Sequence, residues 1–119
     1  MYFRYLLGLA LSLCFGGFQG SWKYKPRGNF IYEQAEAEKL LASFPGVDVF
    51  VAHNSPRGVH DREDGIHTGF DAFTGYIRRT RPKLFLHGHQ HSEEETVIDG
   101  TRVIAVYGMK LLELPLERK

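Results

Sequence analysis

A single cysteine, Cys14, excludes any disulfide within the chain, so nothing in the sequence asks for an oxidising compartment. Cys14 lies in an apolar stretch with no base beside it, which suits a small buried side chain and not a nucleophile. Charge of one sign is equally scarce. The net charge is +1 and the longest acidic run is Glu93-Glu94-Glu95, so there is no electrostatic case for a nucleic-acid partner. Long apolar runs are missing too: the stretch from Tyr5 to Phe15 falls short of the about 20 residues a membrane helix needs, and no transmembrane helix is expected. Internal repeats and low-complexity segments are absent, which excludes solenoids and linkers.

The first residues have two readings. A basic start, Met1-Tyr2-Phe3-Arg4, before an apolar core resembles a secretory signal peptide, although Gly16 to Trp22 offers no small-x-small cleavage site. The competing reading is a buried strand ending in a glycine-rich loop. The expected location is cytoplasmic, with secretion as the alternative if residues 1–20 act as a signal.

What is present is enough for a core. Hydrophobic residues make up 43% and charged residues 24%, which excludes compositional disorder and leaves one domain's worth of sequence. Gly20 to Gly28 reads as a loop. The spacing of Ala35, Leu40 and Leu41 predicts a helix from Tyr32 to Ser43, stopped before Pro45-Gly46. Val47 to Ala52 is β-branched and apolar and predicts a buried strand ending at His53. Asn54 to Gly58 reads as a turn and Val59 to Gly69 as an irregular loop. Phe70, Phe73 and Ile77 recur at helical spacing up to Arg81-Pro82. Lys83 to His87 predicts a second buried strand, and Asp99-Gly100 a hairpin between Glu95–Ile98 and Thr101–Tyr107. Lys110 to Leu116 reads as a last edge strand. The alternation predicts a layered α/β fold.

Six histidines carry the chemistry: His53, His60, His67, His87, His89 and His91. Two of them close predicted strands, and open α/β sheets bind ligands beyond the carboxyl ends of their strands. In His87-Gly88-His89-Gln90-His91, alternate side chains of an extended segment share a face. Gly88 permits a tight turn that swings His89 and His91 towards one ion. Imidazole suits zinc, manganese, iron and similar divalent metals, with carboxylate or water completing the site.

Gly88-His89-Gln90-His91 after an apolar strand resembles the terminal G-H-x-H motif of calcineurin-like metallophosphoesterases. Val49-Phe50-Val51-Ala52-His53-Asn54-Ser55-Pro56 is similar to the strand that precedes it in that family, and the resemblance runs from about Gly16 to Leu116. It implies a partial metallophosphoesterase-type α/β sandwich: a single partial domain over 1–119, with the C-terminal half of the sheet, two helices and a hairpin. It implies a metal-dependent phosphoesterase, hydrolysing a phosphomonoester or phosphodiester at two divalent ions (manganese, zinc, iron or nickel). His53 and His89 would bind one ion and His91 the other, with His87 behind them supporting a neighbour. Arg57, His60 and His67, with Asp64 on the same loop, are candidates for substrate contact, and Trp22 and Tyr24 for pocket lining or packing.

The family also uses D-x-H, G-D-x-x-D and G-N-H-[DE], none of which occurs here; Gly28-Asn29-Phe30 begins like the third but lacks its histidine. No catalytic proton donor is therefore assigned. Without a bridging carboxylate, two cations so close would repel. The resemblance then implies a fragment or mis-started frame, a need for a second chain supplying the missing motifs, or a degenerate relative. The first is preferred. The alternative function is a non-catalytic metal-binding or interaction module. A metallo-β-lactamase-type H-x-H-x-D-H is the weakest alternative, since His91-Ser92 is followed by Glu93-Glu94 where that motif wants Asp-His.

Overall fold

The computed structural model describes residues 2–7, 11–23, 25–62 and 64–113. It is a mixed α/β fold with a mostly parallel sheet and two helices. The strands are β1 (Tyr2–Leu7), β2 (Leu11–Phe18), β3 (Ser21–Trp22), β4 (Ile31–Tyr32), β5 (Val49–Ala52), β6 (Leu84–His87), β7 (Glu94–Ile98) and β8 (Thr101–Ala105). Helix α1 (Gln34–Leu41) lies between β4 and β5, and α2 (Asp71–Thr80) between β5 and β6. The main sheet has the order β1-β2-β5-β6-β8-β7. Its inner strands β2, β5, β6 and β8 run parallel, and β1 and β7 close the edges antiparallel. No helix among the described residues is long and apolar enough to cross a membrane.

The predicted N-terminal strand exists but does not stop at its glycines. β2 runs through Gly16 and Gly17, where a Cβ would stand 2.9 Å from the Phe44 ring and 2.7 Å from the Val51 carbonyl oxygen. Close approach of neighbours, not a turn, is what these glycines allow. Part of the predicted 20–28 loop is also strand, because β3 pairs with β4. That pairing takes Ile31 and Tyr32 and shortens the predicted helix to Gln34–Leu41. The Glu33 N–H donates to Glu36 Oε1 at 3.1 Å across the start of α1.

The second helix matches its prediction closely. Phe73, Tyr76 and Ile77 form one stripe and are almost wholly buried with Phe70 against Phe50 and Phe85 of the sheet. Burying each such side chain contributes about 1.5–3 kcal/mol relative to exposure. Gln34 on α1 caps the start of α2: its Oε1 accepts from Asp71 N at 2.8 Å and its Nε2 donates to Gly69 O at 2.8 Å. Arg81 ends the helix in the left-handed region, φ 51°, with its N–H on Ile77 O. On the opposite sheet face Val49, Leu84 and Ile104 cluster with Phe15, Leu86, Val106 and Leu112.

The hairpin forms as expected, with Asp99 and Gly100 both at positive φ, 48° and 87°. The predicted last edge strand does not form over Lys110–Glu113, and residues 114–116 lie outside those described. β8 already has a neighbour on each side, so this segment has no free ladder in the sheet interior to join.

Candidate metal-binding histidine site

Parallel pairing of β5 with β6 sets the register Ala52↔His87, so the segments that follow the two strands leave the sheet side by side. Gly88 N–H donates to His53 O at 3.1 Å and ties them together. This backbone bond, between residues far apart in sequence, is what gathers the histidines.

His53 Nε2 then lies 2.9 Å from His89 Nδ1, with ring centroids 4.5 Å apart. His89 Nε2 is 3.0 Å from the Ile66 carbonyl, which can only accept, so His89 carries its proton on Nε2 and turns the Nδ1 lone pair to His53. Burial, then the nearby His89 and His91 rings, hold His53 below the usual histidine pKa and favour its neutral form. Neutral imidazole is the form that ligates metal.

The turn works differently from expectation. Gly88 does not take the strained conformation: the positive φ values fall on His89 (69°) and His91 (53°). A Cβ at Gly88 would meet nothing nearer than 4.0 Å. Gln90 N–H donates to Gly88 O at 2.8 Å, closing a three-residue turn with His89 at its apex. Left-handed non-glycine residues cost about 1–3 kcal/mol each and persist where the surroundings over-determine them. Because β6 ends at His87, His87, His89 and His91 do not share one extended face. His89 faces His53, while exposed His91 stacks on Tyr107 at 5.4 Å and His87 turns to His60.

The other candidates separate into distinct settings. The His67 ring lies 4.8 Å from that of His89 and bonds through Nδ1 to Asp64. Asp64 also accepts the N–H groups of His67 (2.7 Å) and Ile66 (2.9 Å). The His67 backbone N–H, then its ring, then the Ile66 N–H hold the Asp64 carboxyl well below the usual carboxylate range. Arg57 pairs with Asp61 (3.9 Å) and Asp71 (4.0 Å). His60 contacts His87 and Thr96, not the His53–His89 pair. Trp22 packs against the core, and Tyr24 lies outside the described residues.

Two buried polar residues, Gln90 and Asn54, escaped the sequence reading. Gln90, 1% exposed, donates to Ser55 Oγ at 3.2 Å and to His67 O at 3.4 Å. Asn54 accepts from Ser21 Oγ at 3.1 Å and donates to Thr68 O at 2.8 Å. Together they pin the 59–69 loop over the two strand ends. Their only signal was position, next to His53 and between two histidines. The Asp64-x-x-His67 spacing was the readable one, because Asp at the start of a turn caps the N–H groups that follow.

Two imidazole nitrogens on one zinc ion, each about 2.0–2.1 Å from it at a tetrahedral angle, stand about 3.3 Å apart. The 2.9 Å separation of His53 Nε2 and His89 Nδ1 is a few tenths shorter and is the length of an N–H···N hydrogen bond, so the two nitrogens could hold one ion only in place of the shared proton. They do not fit a two-ion centre. Among the described residues no three His, Cys, Asp or Glu side chains are arranged to hold a metal ion, and no bridging carboxylate reaches the pair.

The fold and site thus define a mixed α/β chain with a histidine pair at the carboxyl ends of adjacent parallel strands. No protein-family model matches the chain. No curated protein matches it either. Among solved structures, one described as GAP50, the anchor in the inner membrane complex of Plasmodium, aligns over 92% of this chain with 13% sequence identity and a TM-score of 0.45. This chain spans 41% of that one, and likeness at this level carries no argument about fold or function.

Proposed function

We propose that this chain supplies histidine ligands to a metal-dependent phosphoesterase centre of the metallophosphoesterase type. The observation that carries the reading is the His53 Nε2–His89 Nδ1 pair, two facing donors 2.9 Å apart just beyond the ends of β5 and β6. The G-H-x-H resemblance supplies the reaction class: hydrolysis of a phosphomonoester or phosphodiester. When bound, a divalent ion there would polarise a phosphoryl oxygen and lower the pKa of a bound water. The chain's own part is to hold the donors. Ile66 O keeps His89 in the ligating tautomer, and Gln90 and the Asp64–His67 contact keep the loop above it in position. His91 beside them is the ligand expected for a second ion, whose bridging carboxylate a second chain would provide.

A second reading, a metal-binding module without catalysis, is favoured by the lack of a carboxylate at the pair among the described residues. Titration calorimetry with zinc or manganese, followed by assay on p-nitrophenyl phosphate and bis-p-nitrophenyl phosphate, separates the two. The phosphoesterase reading expects metal binding weakened at least about tenfold by His89→Ala and by His53→Ala, with metal-dependent hydrolysis. Binding without hydrolysis of either ester supports the module. Metal content unchanged in both variants overturns both readings.

A further inference from the structure

Gly75 stands in the middle of α2, exposed and in ordinary helical conformation. A Cβ built there would meet no atom within 4 Å. A glycine in a helix interior weakens the helix relative to alanine, and packing within the chain gives no reason for one at this position. What the missing side chain provides is room for another backbone to approach from outside. Gly75 opens on a groove of about 330 Å³ between the two helices, lined by Leu41 and Ala42 at the end of α1 and by Ala72 and Tyr76 of α2.

The exposed stripe of α2 is Asp71, Gly75, Arg78 and Arg79, residues whose spacing puts them on one helix face. Its charge is divided. The N-terminal end is acidic, with Glu38 of α1 joining Asp71 on the rim of the groove, and the C-terminal end is basic. Arg79 is held beside the groove: its Nη2 donates to Leu41 O and Phe44 O, both at 3.0 Å, and its guanidinium carbon lies 5.5 Å from the centre of the Tyr76 ring. The Asp71 side chain is 53% exposed, and its contact with Arg57 is long, 4.0 Å. Asp71 comes four residues before Gly75 and Arg79 four residues after it. A second α2 laid antiparallel across the first at Gly75 therefore brings each Asp71 opposite the Arg79 of the other copy, twice by symmetry. The face complements itself, where a uniformly acidic or uniformly basic partner would meet like charge at one end.

We infer that this face of α2 docks a second copy of the chain, antiparallel about a twofold axis at Gly75, covering the groove and closing two Asp71–Arg79 pairs between protomers. One helix and a groove rim from each copy make a small contact, of the weak and reversible class, so association depends on concentration. The inference is independent of the histidine pairs and of phosphoester chemistry. Sedimentation equilibrium of the full chain at rising concentration tests it, and a monomer–dimer equilibrium is expected. Gly75→Glu goes where a side chain has room, so the fold is kept, and it sets two carboxylates against each other at the axis; it is expected to weaken the dimer at least about tenfold. Asp71→Arg and Arg79→Asp each place like charges opposite one another and weaken self-association. Mixed in equal amounts, the two variants pair with each other, because every charge then meets its opposite. Should Arg79→Asp fail to fold, as judged by circular dichroism, for want of its bonds to Leu41 and Phe44, the Gly75→Glu and Asp71→Arg arms decide. A native chain that stays monomeric at the highest concentration overturns the inference. So does a dimer untouched by Gly75→Glu, or two folded charge variants that fail to associate when mixed.

Discussion

The two histidine pairs share a nitrogen separation, 2.9 Å for His53–His89 and 3.0 Å for His60–His87, and differ in almost everything else. The first joins two segments that have already left the sheet, its His53 exposed to solvent. The second joins a loop residue to the last residue of a buried strand, His87. Burial pushes His87 down to about 4, against the opposing bond to Gly88 O and with a smaller push from His60, whereas the less enclosed His53 is lowered by burial and then by the nearby His89 and His91 rings. Equal distances therefore do not mean equal chemistry. Burial decides which pair couples its protonation to folding.

The largest expected effect strikes both pairs together. Phe85 is fully buried between Phe50, stacked at 5.1 Å, and Phe73 at 5.3 Å, on the strand that carries His87 and leads to His89. Phe85→Ala is expected to cost about 3–5 kcal/mol in urea unfolding and to loosen both histidine contacts, read as faster amide exchange at Gly88 and Gln90. Unchanged exchange at either position would mean the sheet is not their common support.

Acid separates the pairs. The folded-state pKa of His87 lies below its ordinary value near 6.5, so the native state binds fewer protons than the unfolded chain. Stability is fully present above pH 6.5 and falls as pH drops towards 4, by about 3 kcal/mol over that window. His60 is lowered in the same direction, burial being its main cause. Denaturant midpoints between pH 7.5 and 4.5 check this: His87→Gln is expected to flatten the curve and His53→Gln to leave most of it. A curve unchanged by His87→Gln would contradict the assignment.

Smaller effects lie in the loop above the first pair. Gln90→Ala removes the contacts to Ser55 Oγ and His67 O and is expected to cost about 1–3 kcal/mol, read as a lower urea midpoint. Asp64→Ala frees the N–H groups of Ile66 and His67. Faster amide exchange at those two residues, with little change in global stability, is the smallest effect expected. Unaltered exchange would mean the backbone holds that turn unaided.

Much of the scaffold was legible from local pattern. The α2 stripe of Phe73, Tyr76 and Ile77, the strand before His53 and the Asp99-Gly100 hairpin follow from periodicity and turn chemistry, which act over a few residues. Where local reading failed, a distant neighbour had intervened. Tyr32 left the predicted helix to pair in β4, Gly16 and Gly17 stayed in a strand because Phe44 and Val51 press on them, and Lys110–Glu113 found no free ladder.

By itself the sequence determined that the chain is α/β and that its histidines gather near strand ends, since side-chain type and spacing decide both. Which histidine meets which was decided only in three dimensions. The spacing of His87, His89 and His91 suggested one shared face, but the strand ends at His87 and the turn at His89 sends the three rings to His60, His53 and Tyr107. The physical reason is the parallel β5–β6 register, which brings His53 beside Gly88 through a backbone bond that no local pattern encodes.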